Sequence, residues 1–313
     1  MSQGPNTRIL SHRELPFPAA VFTSLLCVVF GSNAVAIKIC LSGLGAFTTA
    51  GFRFAMASLV IFLWAGITRR SFLIHKGQAL QLLIVSLFFT VQLSLLYFGL
   101  SKTNASRGTL LINLQPFFVL FLAHYFIPED RITKNKVLGL FMGFAGMGLV
   151  FLGKAGVTKD IHFGDFMILC TAFVWACNTI YTKRIISGYD PFQLVLYPMI
   201  FSVPFFFLFG FLWDGTMVAE INVKVLASLF YQGLLTASFG FVAWTHMLQK
   251  YGAFSLHSFI FIMPVAGVLL GGLVLEEPIT VNILFSLLLI VAGILVVNRK
   301  TKKYTPLFPP RGV

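Results

Sequence analysis

The chain has 313 residues, of which 58% are hydrophobic and 11% are charged, and its formal net charge is +13. A composition this apolar excludes an ordinary soluble domain of the same length and places the chain in lipid. The positive charge alone would suit nucleic acid, but the Lys and Arg residues mostly flank apolar runs, as in membrane proteins. We therefore expect a bilayer and no nucleic acid as partner.

Apolar runs long enough to cross a bilayer core of about 30 Å recur along the chain. Helices satisfy every backbone N–H and C=O within one segment, and these runs lack the alternation of β-barrel strands. The predicted fold is an all-α integral membrane protein with ten transmembrane helices. The predicted spans are 18–40, 46–67, 79–100, 104–127, 134–152, 164–187, 191–213, 223–248, 252–275 and 280–298.

The distribution of basic residues predicts the orientation. If the N-terminus is cytoplasmic, most of the 23 Lys and Arg residues fall on the cytoplasmic side. Residues 1–17 are then a cytoplasmic N-terminal segment, and residues 299–313 are a basic cytoplasmic tail. Both termini are expected in the cytoplasm.

The first two spans carry polar residues within their apolar runs. Gly31 and Ser32 are small and allow helices to approach closely. Asn33 either bonds a neighbouring helix or contacts a solute, and Lys38 either reaches the outer interface or contacts an anion. Arg53 lies about a third of the way through its span, where a charge is unfavourable and often functional. It either anchors its helix or binds an anionic group of a ligand.

Prolines interrupt the fourth and ninth spans at Pro116 and Pro264. Proline removes a backbone donor and kinks a helix, and the freed carbonyl is tolerated where it lines a cavity. Matched interruptions in two repeats indicate a binding site between them. We therefore predict hinges at both prolines.

An acidic turn follows each kinked helix, with Glu129 after the fourth span and Glu277 after the ninth. Thr133 and Thr280 come next and are placed to cap the following helices. The fifth span has the small-residue spacing of a close-packed seam. Its small residues are Gly139, Gly143, Gly146 and Gly148.

The second half of the chain repeats the first. The repeated residues, in order, are Leu100, Lys102, Ala105 and Pro116 in one copy and Leu248, Lys250, Ala253 and Pro264 in the other. A duplicated unit explains matches in the same order better than shared apolar composition does. The predicted units are residues 18–152 and 164–298, joined by an extracytoplasmic linker, 153–163. Each unit has five spans, an odd number, so the two repeats are inverted.

These residues resemble the EamA-type carriers of the drug/metabolite transporter superfamily. The first unit carries the pattern in Phe30-Gly31-Ser32-Asn33, Arg53, Pro116, Glu129, Thr133, Gly139 and Gly146, and the second in Trp175-Ala176, Asn178, Pro264, Glu277, Thr280 and Gly293. The departures are Phe30 for Trp, Ala176 for Gly, Pro198 where the first unit has Arg53, and Ser286 where it has Gly139. The resemblance implies ten helices around a central cavity, with helices 5 and 10 peripheral, in a carrier of amino acids and other small metabolites. It also implies a bacterial inner membrane.

The leading hypothesis is a secondary transporter of small metabolites, amino acids or related compounds, which works by alternating access as an exporter, facilitator or exchanger. The alternatives are a non-transporting sensor or structural membrane protein, and a carrier of phosphorylated or nucleotide-like solutes. The residues predicted to bind the solute are amides and aromatics within the spans. They are Asn33, Gln92, Tyr97, Asn113, Gln115, Trp175, Asn178, Gln232, Trp244 and His257, with Lys38 and Arg53 as anion contacts.

Enzymatic chemistry is not expected, because no span brings together a nucleophile with a base or a set of metal ligands. The four cysteines lie in apolar runs without disulfide or metal spacing. We expect no cofactor and no metal, and a homodimer is compatible with the sequence without following from it. Because the acidic residues lie in loops and at helix ends, transport is expected to need no proton.

Overall fold

The computed structural model describes residues 16–75, 77–126, 134–152, 159–190, 192–251, 256 and 259–297. Within these residues the chain is helical, and its one extended pairing is an isolated bridge between Leu44 and Val218. The helices are α1 (Phe17–Gly31), α2 (Asn33–Cys40), α3 (Ala46–Ile67), α4 (Gln78–Lys102), α5 (Ala105–Ile112), α6 (Gln115–Phe126), α7 (Lys134–Leu152), α8 (Lys159–Ile185), α9 (Gln193–Trp213), α10 (Val223–Phe230), a π-helix (Tyr231–Gly240), α11 (Phe241–Tyr251), α12 (Ile262–Leu275) and α13 (Val281–Val297).

Eight helical segments of the described chain are long and apolar enough to cross a bilayer. Two further apolar helices, α12 and α13, are shorter, at 14 and 17 residues. The second and fifth spans have the predicted bounds. The largest difference is in the ninth span, which was predicted from residue 252, whereas α12 begins at Ile262 after a turn over residues 259–261. α8 also differs, because it begins at Lys159 and not at residue 164. Part of the segment predicted as a linker is therefore the first turn of a helix.

The fourth span is interrupted where Pro116 predicts it. Pro116 has no N–H, and its ring excludes the carbonyl four residues earlier. The backbone tightens there, because the N–H of Leu114 donates to the carbonyl of Leu111 at 3.1 Å and that of Phe117 donates to Leu114 at 2.9 Å. The helix ends at Ile112 and restarts as α6, so the break lies just before the proline. Prolines are well tolerated near the start of a helix.

Two other spans depart from regular α-helix. The first is divided between α1 and α2 by one residue, Ser32. The eighth contains the π-helix, in which the hydroxyl of Ser238 donates to the carbonyl of Gly233, five residues earlier, at 2.7 Å. π-helical turns are rare and occur frequently at functional sites. Pro264 is the third residue of α12.

Glycines hold α7 against α13. A Cβ on Gly139 would lie 2.7 Å from the backbone oxygen of Gly293, and one on Gly146 would lie 3.0 Å from that of Ser286. These contacts confirm the predicted close packing at both glycines. Gly148 is different, because a Cβ there would meet no atom within 4 Å, so including it in the seam was wrong. Its position along the helix turns it away from α13.

The helix ends form two faces. α2, α4, α9 and α12 end at one, which we call the Lys38 face, and α3, α6 and α8 end at the other, the Arg70 face. At the Arg70 face, Arg70 pairs with Asp190 at 3.3 Å, and the hydroxyl of Tyr189 donates to the carbonyl of Gln78 at 2.9 Å. Burial, and to a lesser degree the neighbouring Tyr181, raises the pKa of Tyr189, so this donor stays protonated at neutral pH. These contacts tie the loop after α3 to the loop after α8.

We predict that Gly139→Ala destabilises the protein by about 1–3 kcal/mol, because the added methyl group meets backbone that cannot rotate away. Gly148→Ala is the matched control in the same helix and should be neutral or slightly stabilising. Thermal unfolding in detergent can be followed with a thiol-reactive dye, since Cys27 and Cys40 are buried in the folded protein. Equal melting temperatures for the two variants would contradict a tight seam.

Candidate functional site

Arg53 lies at the centre of a polar cluster within the apolar interior. It is the eighth residue of α3, so it lies about 10 Å along the helix axis from the Lys38 face. Its Nη1 donates to Asn33 Oδ1 at 2.9 Å and to Tyr97 Oη at 3.0 Å. The guanidinium carbon lies 5.0 Å from the ring centroid of Phe54, within the range of a cation–π contact. Arg53 is only 5% exposed, so these neutral groups provide most of its solvation.

Tyr97 and Gln232 fix the direction of the hydrogen bonds around Arg53. The amide nitrogen of Gln232 donates to the carbonyl of Ala36 at 3.1 Å and to Cys40 Sγ at 3.0 Å. Its oxygen therefore faces Tyr97, whose hydroxyl donates to it at 2.9 Å. The same Tyr97 oxygen accepts from Arg53. Asn33 and Tyr97 thus each present an acceptor to the cation, and Gln232 orients Tyr97.

The interrupted first and eighth spans meet beside this cluster. The hydroxyls of Ser32 and Tyr231 are in contact, and Tyr231 Oη also donates to the carbonyl of Val29 at 3.1 Å. A Cβ on Gly31 would lie 2.4 Å from the backbone oxygen of Met263, so α12 packs directly onto the break between α1 and α2. The expected close approach at Gly31 is confirmed.

Carboxylates of the described chain make their contacts away from Arg53. Asp165 pairs with Arg107, and Asp214 and Glu277 each bind the N-terminus of another helix. Neither a hydrogen bond nor an ion pair joins a carboxylate to Arg53 among the residues that the structure describes. The buried Nε of Arg53 also has no hydrogen-bond partner there. Within the described part of the chain, the cation is therefore held in place without a counter-charge.

Carboxylates cap two helices at the Lys38 face. Glu277 accepts from the backbone N–H groups of Ala105 at 2.6 Å and Ser106 at 2.8 Å, and from the Ser106 hydroxyl at 2.6 Å. Asp214 binds the start of α3 through the N–H of Thr48 at 2.9 Å and its hydroxyl at 2.8 Å. The positive end of the helix dipole stabilises an anion at such a position. Both caps join the two halves of the chain.

Lys38 and a buried ion pair complete this face. Lys38 Nζ donates to the carbonyls of Leu100 at 3.0 Å and Thr103 at 2.9 Å. Arg107 in α5 pairs with Asp165 in α8, and its Nε donates to Asp165 Oδ2 at 2.9 Å. We call these contacts, together with the Glu277 cap of α5, the Lys38-face clasp. It is made of hydrogen bonds and an ion pair at the ends of helices.

The structure brings three of the predicted solute-binding residues together, namely Asn33, Tyr97 and Gln232, and joins them to Arg53. The other predicted residues make separate contacts. Asn113 donates to the Thr109 carbonyl at 2.7 Å, Gln115 donates to Thr179 at 3.2 Å, and Asn178 accepts from Thr182 at 3.3 Å. Trp244 contacts the Phe30 ring, with the ring centroids 5.9 Å apart, and Trp175 is exposed. Gln92 is buried, and its Oε1 has no hydrogen-bond partner among the described residues. His257 lies outside the described residues, as do Glu129 and Thr133.

Two contacts were not foreseen from the sequence. Asp165 lies near the start of the predicted sixth span and Arg107 near the start of the predicted fourth, and matching their depths at the same face would have suggested the ion pair. Glu277 was expected only in an interfacial turn, whereas it caps α5. The predicted cap at Thr280 is confirmed, because its Oγ1 accepts from the N–H of Ile283 at 3.4 Å at the start of α13.

The described cluster can hydrogen-bond and attract an anion, but it lacks the groups for metal chemistry. Within the ranges that the structure describes, no three His, Cys, Asp or Glu side chains lie close enough to hold a metal ion. The cluster lies where discontinuous helices from the two halves of the chain meet, an arrangement typical of solute sites in carriers.

Comparison with known proteins identifies the family. The model of the EamA-like transporter family matches the chain twice, over residues 17–152 and 162–299. The chain belongs to the EamA-like transporter family. It is therefore a transporter in a lipid membrane and not an enzyme.

Relatives of this transporter cover most of its length. An uncharacterised transporter of Bacillus subtilis, YoaV, is 25% identical, and the match covers 85% of this chain and 92% of the relative. A probable amino-acid metabolite efflux pump of Escherichia coli is 23% identical, with 88% and 92% covered. A protein known from a crystal structure has the same fold, with a TM-score of 0.65 at 18% identity, and the match covers 90% of this chain and 98% of that one.

We predict that Tyr97→Phe destabilises the transporter by about 1–3 kcal/mol. The change leaves the oxygen of Gln232 without its buried donor and removes one acceptor from Arg53. Tyr125→Phe is the control, because Tyr125 is 68% exposed, and it should stay within about 0.5 kcal/mol of the unsubstituted protein. Denaturation of both variants in the same detergent is the measurement. A Tyr97→Phe melting curve that matches the control would show that the network contributes nothing to stability.

Proposed function

We propose that this transporter is a secondary carrier of small metabolites, amino acids or related compounds, which works by alternating access as an exporter, facilitator or exchanger. The observation that carries the proposal is the polar cluster around Arg53, because polar groups inside a membrane mark solute pathways. The cluster unites side chains from both family-matched halves of the chain. The printed name of the Escherichia coli relative supports amino-acid metabolites as the solute class.

The architecture that we propose is ten helices in two inverted five-helix repeats, residues 18–152 and 164–298. Helix packing supports it, because partners occur in exchanged pairs. Each span of the first unit corresponds to the span five places later in the chain. The contact of α6 with α8 therefore corresponds to that of α12 with α1, and the contact of α4 with α9 corresponds to that of the π-helix with α3. α7 packs on its own counterpart, α13, and α3 packs on its own counterpart, α9. Exchanging the first unit for the second converts each of these contacts into itself or into another of them.

The proposed orientation has both termini in the cytoplasm of a bacterial cell, with the protein in the inner membrane and the Lys38 face outside. The distribution of basic residues supports it. With this orientation, the Lys38-face clasp closes the outer side. The clasp consists of polar contacts at helix ends, and in the proposed carrier these contacts are released when the outer side opens.

Cross-linking tests whether this face must open. Ser106→Cys with Glu277→Cys replaces two side chains whose oxygens are 2.6 Å apart. Joining them with a short bifunctional thiol reagent should reduce uptake into proteoliposomes at least about tenfold, because the outer side can no longer open. A cleavable reagent should allow reduction to restore the flux. Each single-cysteine variant, treated in the same way, is the control, and full flux in the joined double variant would refute the gate.

A second experiment tests the energy source. Among the described residues no carboxylate contacts the cluster, so we expect exchange to run on a solute gradient alone. Counterflow by purified protein in liposomes should change less than about twofold when a pH difference is imposed. Strong acceleration by a pH gradient, lost in His257→Ala, would instead establish proton coupling.

A further inference from the structure

We propose that the Nε–Nη2 edge of Arg53 binds a carboxylate of the transported solute. The carrier would then select solutes with a free carboxylate and little further negative charge, such as zwitterions and monocarboxylates. This inference rests on the proposed transport function and adds the chemical class of the solute to it.

The first argument is geometric. A guanidinium has five N–H donors in a planar fork, and its Nε and Nη2 atoms present two parallel N–H groups along one edge. Both hydrogen bonds from Arg53 to the described residues leave from Nη1, on the opposite side. Nε is buried and has no partner among those residues. Because buried donors are nearly always paired in folded proteins, this edge is a site for a group that comes and goes.

The second argument is electrostatic and comes from comparing two buried arginines. The side chains of Arg107 and its partner Asp165 are 5% and 0% exposed and form an ion pair. Arg53 is equally buried, but its described contacts are to a neutral amide, a neutral hydroxyl and an aromatic ring. A desolvated cation without a counter-charge is destabilised, and a bound anion removes that penalty.

The third argument concerns the charge of the anion. A phosphate monoester carries about 1.5 to 2 negative charges at neutral pH, more than one guanidinium neutralises. Lys38, on the neighbouring helix, already donates to the carbonyls of Leu100 and Thr103. A carboxylate carries one charge, and its two oxygens match one edge of the fork. The phosphorylated solutes considered from the sequence are therefore disfavoured.

Asn33, Tyr97 and Gln232 then act as positioning residues. Asn33 and Tyr97 accept hydrogen bonds from Nη1, and Gln232 orients Tyr97. The plane of the guanidinium is therefore fixed before the solute arrives. Such preorganisation lowers the entropy lost on binding. The amides and the arginine, which the sequence offered as separate means of recognition, form one site.

Binding to the purified protein tests the proposal with matched probes. The probes are the common L-amino acids, the α-carboxamide of each, and glycerol 3-phosphate, measured by thermal shift and equilibrium dialysis. We expect at least one free amino acid to bind, and its carboxamide to bind about 10- to 100-fold more weakly, as expected for loss of charge-assisted hydrogen bonds. Arg53→Gln should abolish this preference. Arg53→Lys keeps the charge without the fork and should retain only a small part of it.

Stability without ligand separates recognition from a structural role. If Arg53 binds the solute, Arg53→Gln removes an uncompensated charge and should leave the melting temperature unchanged or raised. Arg107→Gln is the matched control, because it strands Asp165 and should lower the melting temperature while keeping the preference for carboxylate over carboxamide. If Arg53→Gln lowers the melting temperature and the preference persists, Arg53 only braces the helices and the proposal fails.

The remaining outcomes distinguish this inference from the transport function. Flux of a neutral solute that is unaffected by Arg53→Gln would leave transport standing and overturn the carboxylate site. Carboxylate-selective binding without flux in any gradient would uphold the site and overturn transport. Binding of glycerol 3-phosphate alone, or of no probe at all, would reject the carboxylate assignment.

Discussion

The structure depends on how a single cation is kept in the interior of a membrane. Arg53 lies about 10 Å from the nearer face, where water is scarce and ions are poorly solvated. Neutral acceptors on two other helices, Asn33 and Tyr97, bind it, and the Tyr97 hydroxyl donates in turn to Gln232 in the second half of the chain. Among the described residues the arrangement stabilises the side chain without cancelling its charge, which leaves that charge for the solute carboxylate that we propose.

The Lys38 face combines polar contacts with close helix packing. Glu277 and Asp165 meet α5 there through polar contacts at helix ends, and a Cβ on Gly164 of α8 would lie 2.8 Å from the backbone oxygen of Gly99 in α4. The seam between α7 and α13 has glycine contacts of similar closeness, at Gly139 and Gly146. In the proposed carrier, the seam would brace the periphery while the clasp opens and closes.

Interruptions of the helices place the polar cluster where it is. The break at Ser32 directly precedes Asn33, the π-helix contains Gln232, and the hydroxyls of Ser32 and Tyr231 bring the two irregular segments into contact. Freed backbone groups and displaced side chains are tolerated there because protein, not lipid, surrounds them. The same irregularities that weaken individual helices thus create a polar site between the two halves.

The sequence by itself determined the membrane class, most of the spans and the duplication, because bilayer thickness sets the length of an apolar run and Pro116 acts on its own neighbours. It also pointed to Arg53, since a charge within an apolar run is conspicuous without any structure. Only the tertiary structure decided the partners. Arg107 meets Asp165 across 58 residues, and Glu277 meets Ala105 across 172. Such contacts depend on the rotation and depth of each helix relative to its neighbours, which is also why Gly148 faces away from the seam, and spacing along one helix does not encode them.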